Sequence, residues 1–324
     1  MHTLVTGGAG FIGSHVVEAL LARGDEVTIL DDLNDFYDPA LKEANLREIG
    51  AFGAYGFRLA DVCDAGAVGE IMDAVRPDVV IHLAARAGVR PSLLDPLLYE
   101  RVNVRGTLSL LEACRKRGVK RFVFASSSSV YGNNDRAPYI EDKSATMPIS
   151  PYAATKLAGE HLCYTYSHLY GIACICLRFF TVFGPRQRPD LAIRKFAGLI
   201  ERGEPIPVFG DGSMARDYTY VSDTVAGVLA AINCPSSYEV INLGNSRPIS
   251  LADLIAHLER ELGRKAVIRR LPTQDGDVRL TCADIAKAAR LLGYHPSTPF
   301  ETGLQHFVGW LRRPMEAEHF GAGR

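Results

Sequence analysis

The run HTLVTGGAGFIGSHVVEALLARGDEVTILDD, residues 2–32, limits the fold more than any other stretch of the chain. It reads as a strand, a glycine turn, an amphipathic helix and a second strand. Gly8, Gly10 and Gly13 satisfy G-x-G-x-x-G, while Gly7, Gly10 and Gly13 satisfy G-x-x-G-x-x-G. Glycines so spaced allow a tight turn and close backbone approach, so that a pyrophosphate can rest against the amides opening the helix near Phe11 and Ile12. Asp31 ends the second strand about 20 residues further on, followed by Asp32 and Asn34. A carboxylate there accepts from ribose hydroxyls and repels a 2'-phosphate, which predicts NAD rather than NADP as cofactor. A glycine turn by itself is ordinary strand-to-helix geometry; the strand before it, the helix after it and the acid in place make it a dinucleotide signature.

The alternation continues. FRLADV carries Asp61 and Val62 at its end, PDVVIHLAA runs into the small-residue loop Leu83, Ala84 and Ala85, NVRGTLSLLEACRKRG reads as a helix, and KRFVFASSSS as another strand. Repeated strand–helix units predict a parallel sheet covered on both faces, with ligands over the carboxyl ends of the strands. The fold class is α/β, a Rossmann-type doubly wound parallel sheet. Asp61 either reaches an adenine edge or caps the following helix, and the alanines let a cofactor lie close.

With 36 basic and 37 acidic residues the formal net charge is −1, which offers no broad field to nucleic acid or anionic lipid. Small molecules are the expected ligands. The seven cysteines form no C-x-x-C pair and suggest reduced, buried thiols, with no metal site expected. Cys174 and Cys176, two apart in IACICLRFF, fall on one face of a strand. The opening MHTLVTGG lacks the charged and apolar regions of a secretory leader, and no apolar stretch reaches the roughly 18 residues of a membrane span, so a cytoplasmic protein is expected.

Two further stretches carry the chemistry. FASSSSVYG sets Ser126 to Ser129 where a strand leaves the sheet, either as turn chemistry or as hydroxyls facing a ligand. SPYAATK puts Tyr152 and Lys156 four residues apart, one helical turn, hence side by side. TGGAGFIG, Asp31, SSSSVYG and SPYAATK in this order resemble the extended short-chain dehydrogenase/reductase superfamily, in its branch of nucleotide-sugar epimerases and dehydratases. The resemblance implies that Tyr152 is the catalytic base, that Lys156 lowers its pKa and holds the nicotinamide ribose, and that Ser127 completes a triad. A cation beside a phenol stabilises the phenolate, which is how a group titrating near 10 can act at neutral pH.

Dehydratases and decarboxylases of the branch carry an acid beside the serine strand, where this chain has Ser128 and Ser129. A 4-epimerase is the simpler reading. The run FFTVFGPRQRPD, residues 179–190, is similar to the uronate-specific 4-epimerases. That similarity implies that Thr181 and Arg188, with Arg186 beside them, engage a sugar carboxylate and that Ser128 and Ser129 touch the sugar. Read without it, Arg188 is a loop arginine paired with solvent or with Asp190. PIPVFGDGSMARDYTYVSD resembles the family's nucleotide segment, implying Val208 and Phe209 near uracil and Arg216 on the diphosphate; the alternative partners for Arg216 are Asp217 and Asp223. Asp277 stands in the place of an acid at the uridine ribose, and Gln274 where epimerases of neutral sugars carry arginine.

The expected organisation is an NAD-binding domain over residues 1–180 with elements returning near 218–245. Residues 181–324 form an interleaved, smaller mixed α/β lobe for a UDP-uronic acid substrate. Apolar helix faces near 92–117 and 152–170 suggest a homodimer. Rival readings are a 4-epimerase of UDP-glucose or UDP-N-acetylglucosamine, a net oxidoreductase or decarboxylase, and a catalytically silent NAD-binding module.

Overall fold

A computed structural model describes residues 1–134, 137–141, 146–272 and 278–313. The chain runs β1 (His2–Thr6), α1 (Phe11–Ala22), β2 (Glu26–Asp31), α2 (Pro39–Ile49), β3 (Gly56–Leu59), α3 (Ala65–Val75), β4 (Val79–His82), α4 (Val89–Leu94), α5 (Pro96–Glu100), α6 (Gly106–Arg117), β5 (Arg121–Ser127), α7 (Pro151–Tyr170) and β6 (Ala173–Phe179). It continues through β7 (Thr181–Phe183), α8 (Ala192–Arg202), β8 (Ile206–Phe209), β9 (Ala215–Tyr220), α9 (Val221–Ile232), β10 (Tyr238–Leu243), β11 (Pro248–Ser250), α10 (Leu251–Leu262), β12 (Ile268–Leu271), α11 (Ala286–Leu292) and α12 (Phe300–Leu311).

Among the described residues a seven-stranded sheet has the order β10-β6-β5-β4-β1-β2-β3, and every pairing in it is parallel. This is the doubly wound Rossmann-type sheet expected from the sequence. The strand order reverses between β1 and β4, and such a switch point opens a crevice at the carboxyl ends of the strands.

Its central strands are largely apolar and buried because helices cover both faces. In β6, Ile175 and Leu177 face the core built with Val16, Leu20, Val225 and Val228 of α1 and α9, whereas Cys174 and Cys176 face the core of α3, α6 and α7. The period of two in IACICLRFF therefore places the two thiols on one face, and all seven cysteines are unpaired. A third core, with Phe183, Phe196, Leu254, Leu258, Leu304 and Phe307, builds the smaller lobe from α8, α10, α12 and the short sheets β11-β9-β7 and β12-β8.

Candidate active site

At the switch point the glycine turn packs closer to its neighbours than any side chain would allow. Gly7 has φ of +72°, and a Cβ there would lie 2.7 Å from the Ala84 amide nitrogen; one on Gly13 would lie 2.0 Å from the Gly7 carbonyl oxygen. Turn, helix and the β4 loop can close together only without side chains at those positions. Gly10 caps α1 with no side-chain hydrogen bond, and the first turn holds no acid. Among the described residues no side chain caps the opening amides of α1, which can therefore meet an anion. Asp31 is buried, and its carboxylate accepts from the Ala9 amide at 3.1 Å and the Leu33 amide at 3.0 Å, tying the turn to the end of β2. Burial raises its pKa, against the opposing charge of Lys42.

A cavity of about 380 Å3 is lined by Gly7, Gly10, Phe11, Ile12, Gly13, Asp31, Asp32 and Asn34. On its other walls stand Val62, Leu83, Ala84, Ala85, Ser127, Ser128, Ser129, Tyr152, Lys156, Thr181 and Arg188. Groups far apart in sequence thus meet at one cleft.

The tyrosine stands where local rules put it. Ser150 caps α7 by accepting from the Ala153 amide at 3.2 Å, and Pro151 occupies the first turn, so Tyr152 projects from the helix start. A buried network locks α7 to the serine strand. Glu160 takes a bidentate pair from Arg178 of β6 at 2.8 and 2.7 Å and a bond from the Ser126 hydroxyl at 2.5 Å. Ser127, the next residue, donates to the Ser129 hydroxyl at 3.2 Å.

Burial raises the pKa of the Tyr152 phenol, opposed first by hydrogen bonding from Ser127 and then by the charge of Arg188. Lys156, one helical turn further on, donates to the Ala125 carbonyl at 2.7 Å, which uses one of its three N–H donors, and burial lowers its pKa to about 7. Tyr99 stands edge-on to Tyr152, ring centroids 6.2 Å apart.

Arg188 lines the cavity and also pairs with Asp190, its Nε and Nη2 each 2.9 Å from a carboxylate oxygen. The pairing expected of a loop arginine is present, and the guanidinium also borders the cleft. The bidentate grip uses two of the five N–H donors of the guanidinium and fixes its plane, which leaves the Nη1 edge for a further anion.

Arg186 corrects the expectation that it engages the sugar. It is buried, with φ of +63°, and makes a bidentate pair with Glu18 of α1 at 2.8 and 2.6 Å while meeting His15 Nδ1 at 2.9 Å. The pair pins the loop that carries Arg188 onto the dinucleotide helix. Burial, and then the Arg186 charge, lower the His15 pKa to about 4, so the ring is neutral at pH 7. Replacing Arg186 by Leu strands a largely buried Glu18 carboxylate and should cost about 3 kcal/mol or more of unfolding free energy. Denaturant titration measures it; a loss below about 1 kcal/mol, the worth of a surface pair, would contradict the assignment.

The remaining candidate residues are placed as follows. Asp61 does not line the cavity: its carboxylate accepts from the Cys63 amide at 2.9 Å and faces Arg101 at 3.4 Å, while Asp64 caps α3. Val208 points into the smaller lobe's core, and Phe209 lies under the Arg90 guanidinium at 4.8 Å. Arg216 pairs with neither Asp217 nor Asp223, whose carboxylates are taken by the amides of Asn245, Ser246 and Ala283 and of Ser297 and Thr298. Asp277 and Gln274 lie outside the described residues. Phe36, Tyr37, Lys42 and Arg86 also line the cleft and escaped the sequence reading. The only signal for the first three was their place in the loop and helix following Asp31.

Sheet and glycine cradle together define a Rossmann-type dinucleotide enzyme, with a tyrosine on the wall of its cleft. Residues 3–244 match the model of the NAD dependent epimerase/dehydratase family, and the chain belongs to that family. It is similar to a UDP-glucuronate 4-epimerase of Thermodesulfobacterium geofontis, 45% identical over 314 residues that cover 97% of each chain. Among solved structures it resembles a UDP-glucuronic acid 4-epimerase from Bacillus cereus in complex with UDP-glucuronic acid and NAD. That match has a TM-score of 0.90 and 36% identity, over 96% of this chain and 99% of the other. It also resembles a UDP-glucose 4-epimerase from Thermotoga maritima with UDP-glucose, TM-score 0.89 and 34% identity, over 98% and 100% of the two chains.

Proposed function

We propose that the protein interconverts UDP-glucuronic acid and UDP-galacturonic acid by inverting C4 with bound NAD. The observation that carries this reading is the presence of Tyr152, Ser127, Ser129, Thr181 and Arg188 on the walls of the cleft that the glycine turn opens. The turn and α1 amides, Asp31, Asp32 and Asn34 would hold the dinucleotide, with the Leu83 to Ala85 loop and Val62 against it. NAD supplies a hydride acceptor that is restored at the end of each turnover.

Tyr152 takes the O4 proton and later returns it, which requires the phenolate; Ser127 hydrogen bonding and the Arg188 charge oppose the burial that resists it. Ser127 and Ser129 hydrogen-bond O4 in both of its states. Arg188 with Thr181 holds the sugar carboxylate, and that grip has a chemical purpose. A uronate oxidised at C4 is a β-keto acid, and it loses CO2 when the bond to its carboxylate stands perpendicular to the carbonyl plane. Charge-assisted hydrogen bonds from a guanidinium fix another orientation. The pairing of Arg188 with Asp190 supports this role by aiming the fork.

Phe209, Arg216 and the backbone at Val208 in the smaller lobe, with Asp277, are assigned to the UDP moiety. Residues 1–180 with the returning elements near 218–245 are read as the cofactor domain, and 181–324 as the substrate lobe. That α9 packs on α1 and β10 pairs with β6 supports the interleaving. Leu94 and Leu97, 88% and 79% exposed on α4 and α5, with Leu93 beside them, support a homodimer through this face, and light scattering at the mass of one chain would exclude it. The unpaired cysteines suit the reducing cytoplasm.

Purified protein incubated with UDP-glucuronic acid should yield UDP-galacturonic acid by NMR without added cofactor. An unchanged spectrum, or turnover of UDP-glucose alone, would overturn the assignment.

A further inference from the structure

We propose that Arg86 binds the diphosphate of the dinucleotide, an assignment that rests on the cofactor reading above. Among the described residues four cations line the cleft: Lys42, Arg86, Lys156 and Arg188. Three are already engaged. Arg188 is gripped by Asp190, Lys156 donates to the Ala125 carbonyl, and Lys42 donates to the Asn34 carbonyl at 2.8 Å within the field of Asp31, Asp32 and Asp35. The Arg86 guanidinium has no carboxylate partner among the described residues. Its side chain makes one hydrogen bond, Nη1 to the amide oxygen of Asn34 at 3.2 Å, and stands 6.0 Å from the centre of the Phe36 ring.

The backbone beneath Arg86 is held on both sides. Its N–H donates to Asn103 Oδ1 at 2.8 Å, and Asn103 Nδ2 donates to its carbonyl at 3.0 Å. Asn103 is 1% exposed and lies in the wide helical turn Arg101–Arg105 that precedes α6. Such single π-type turns recur at functional sites. The clamp fixes where the arginine starts, and Phe36 with Asn34 fixes where it ends. It thereby spans the cleft from the loop after β4 to the loop after β2.

A half-buried guanidinium with a neutral partner is left wanting an anion, and its planar fork matches phosphate oxygens. Both NAD and a UDP-sugar bring a diphosphate to this cleft. The contact with Asn34 and Phe36, on the loop that follows Asp31, assigns Arg86 to the dinucleotide's wall.

The test compares wild type, Arg86→Gln and Arg86→Lys. Bound NAD is quantified after gel filtration, and protein stripped of cofactor is titrated calorimetrically with NAD and, separately, with UDP. Arg86→Gln should weaken NAD binding about tenfold or more, the worth of a lost hydrogen bond to a charged group. Its UDP affinity should stay within about twofold of wild type, and Arg86→Lys should recover part of the loss because the charge remains without the fork. Weakened UDP binding with unchanged NAD binding would keep the diphosphate site and move its source to the nucleotide sugar. If both affinities remain at wild-type values in Arg86→Gln, the proposal is overturned. Wild-type protein that takes up neither ligand would overturn the functional reading itself. The position is partly exposed and its clamp to Asn103 uses only backbone atoms of Arg86, so the variants keep their fold, and unchanged circular dichroism melting checks this.

Discussion

Tyr152→Phe protein is expected to retain NAD and UDP-glucuronic acid but to epimerise about a thousandfold more slowly, within the range of roughly 10²–10⁴ that a positioned acid–base group supplies. The substitution removes one oxygen and leaves the ring against Tyr99, so the cleft keeps its shape. Stopped assays with NMR detection measure the rate, and loss of less than about tenfold would remove Tyr152 from the proton-transfer role. The wild-type enzyme should also gain activity as pH rises, because the base must be deprotonated and burial has raised its pKa. Tyr152→Phe should abolish that dependence.

Arg188→Ala should damage the enzyme in two separable ways. Loss of charge-assisted hydrogen bonds worth roughly 1.5–3 kcal/mol raises the KM for UDP-glucuronic acid by about tenfold to a hundredfold, with no such change for UDP-glucose. The freed carboxylate then departs as CO2 from the 4-keto acid, leaving a keto-pentose nucleotide and stoichiometric NADH. Because the Arg188 charge also draws the Tyr152 pKa down, the rise of activity with pH should move to higher pH in this variant. Liquid chromatography of the nucleotide products and absorbance of NADH follow both effects. Unchanged uronate KM without pentose would assign Arg188 to Asp190 alone.

The parts of the site legible in the sequence are those encoded within one turn or one strand. Gly7, Gly10 and Gly13 announce themselves by spacing, Ser150 and Pro151 start the helix that presents Tyr152, and Cys174 and Cys176 alternate with Ile175 and Leu177 as a doubly buried strand requires. What escaped depends on partners distant in the chain. Arg186 looks like a twin of Arg188 in PRQRPD, yet its carboxylate partner is 168 residues away in α1. Lys156 sits one turn from Tyr152 on the helix, but its Ala125 partner lies 31 residues earlier, and the Arg188 charge reaches the phenol from another loop. Arg86 was hidden for the same reason: Asn34 lies 52 residues before it and Asn103 17 after.

One isotope experiment addresses the chemistry directly. UDP-glucuronic acid carrying deuterium at C4, converted in ordinary water, should give UDP-galacturonic acid that keeps its deuterium at C4 with inverted configuration, because the hydrogen leaves and returns as a hydride inside a single closed site. Product with protium at C4 would mean exchange with solvent, and inversion by that route would contradict the account.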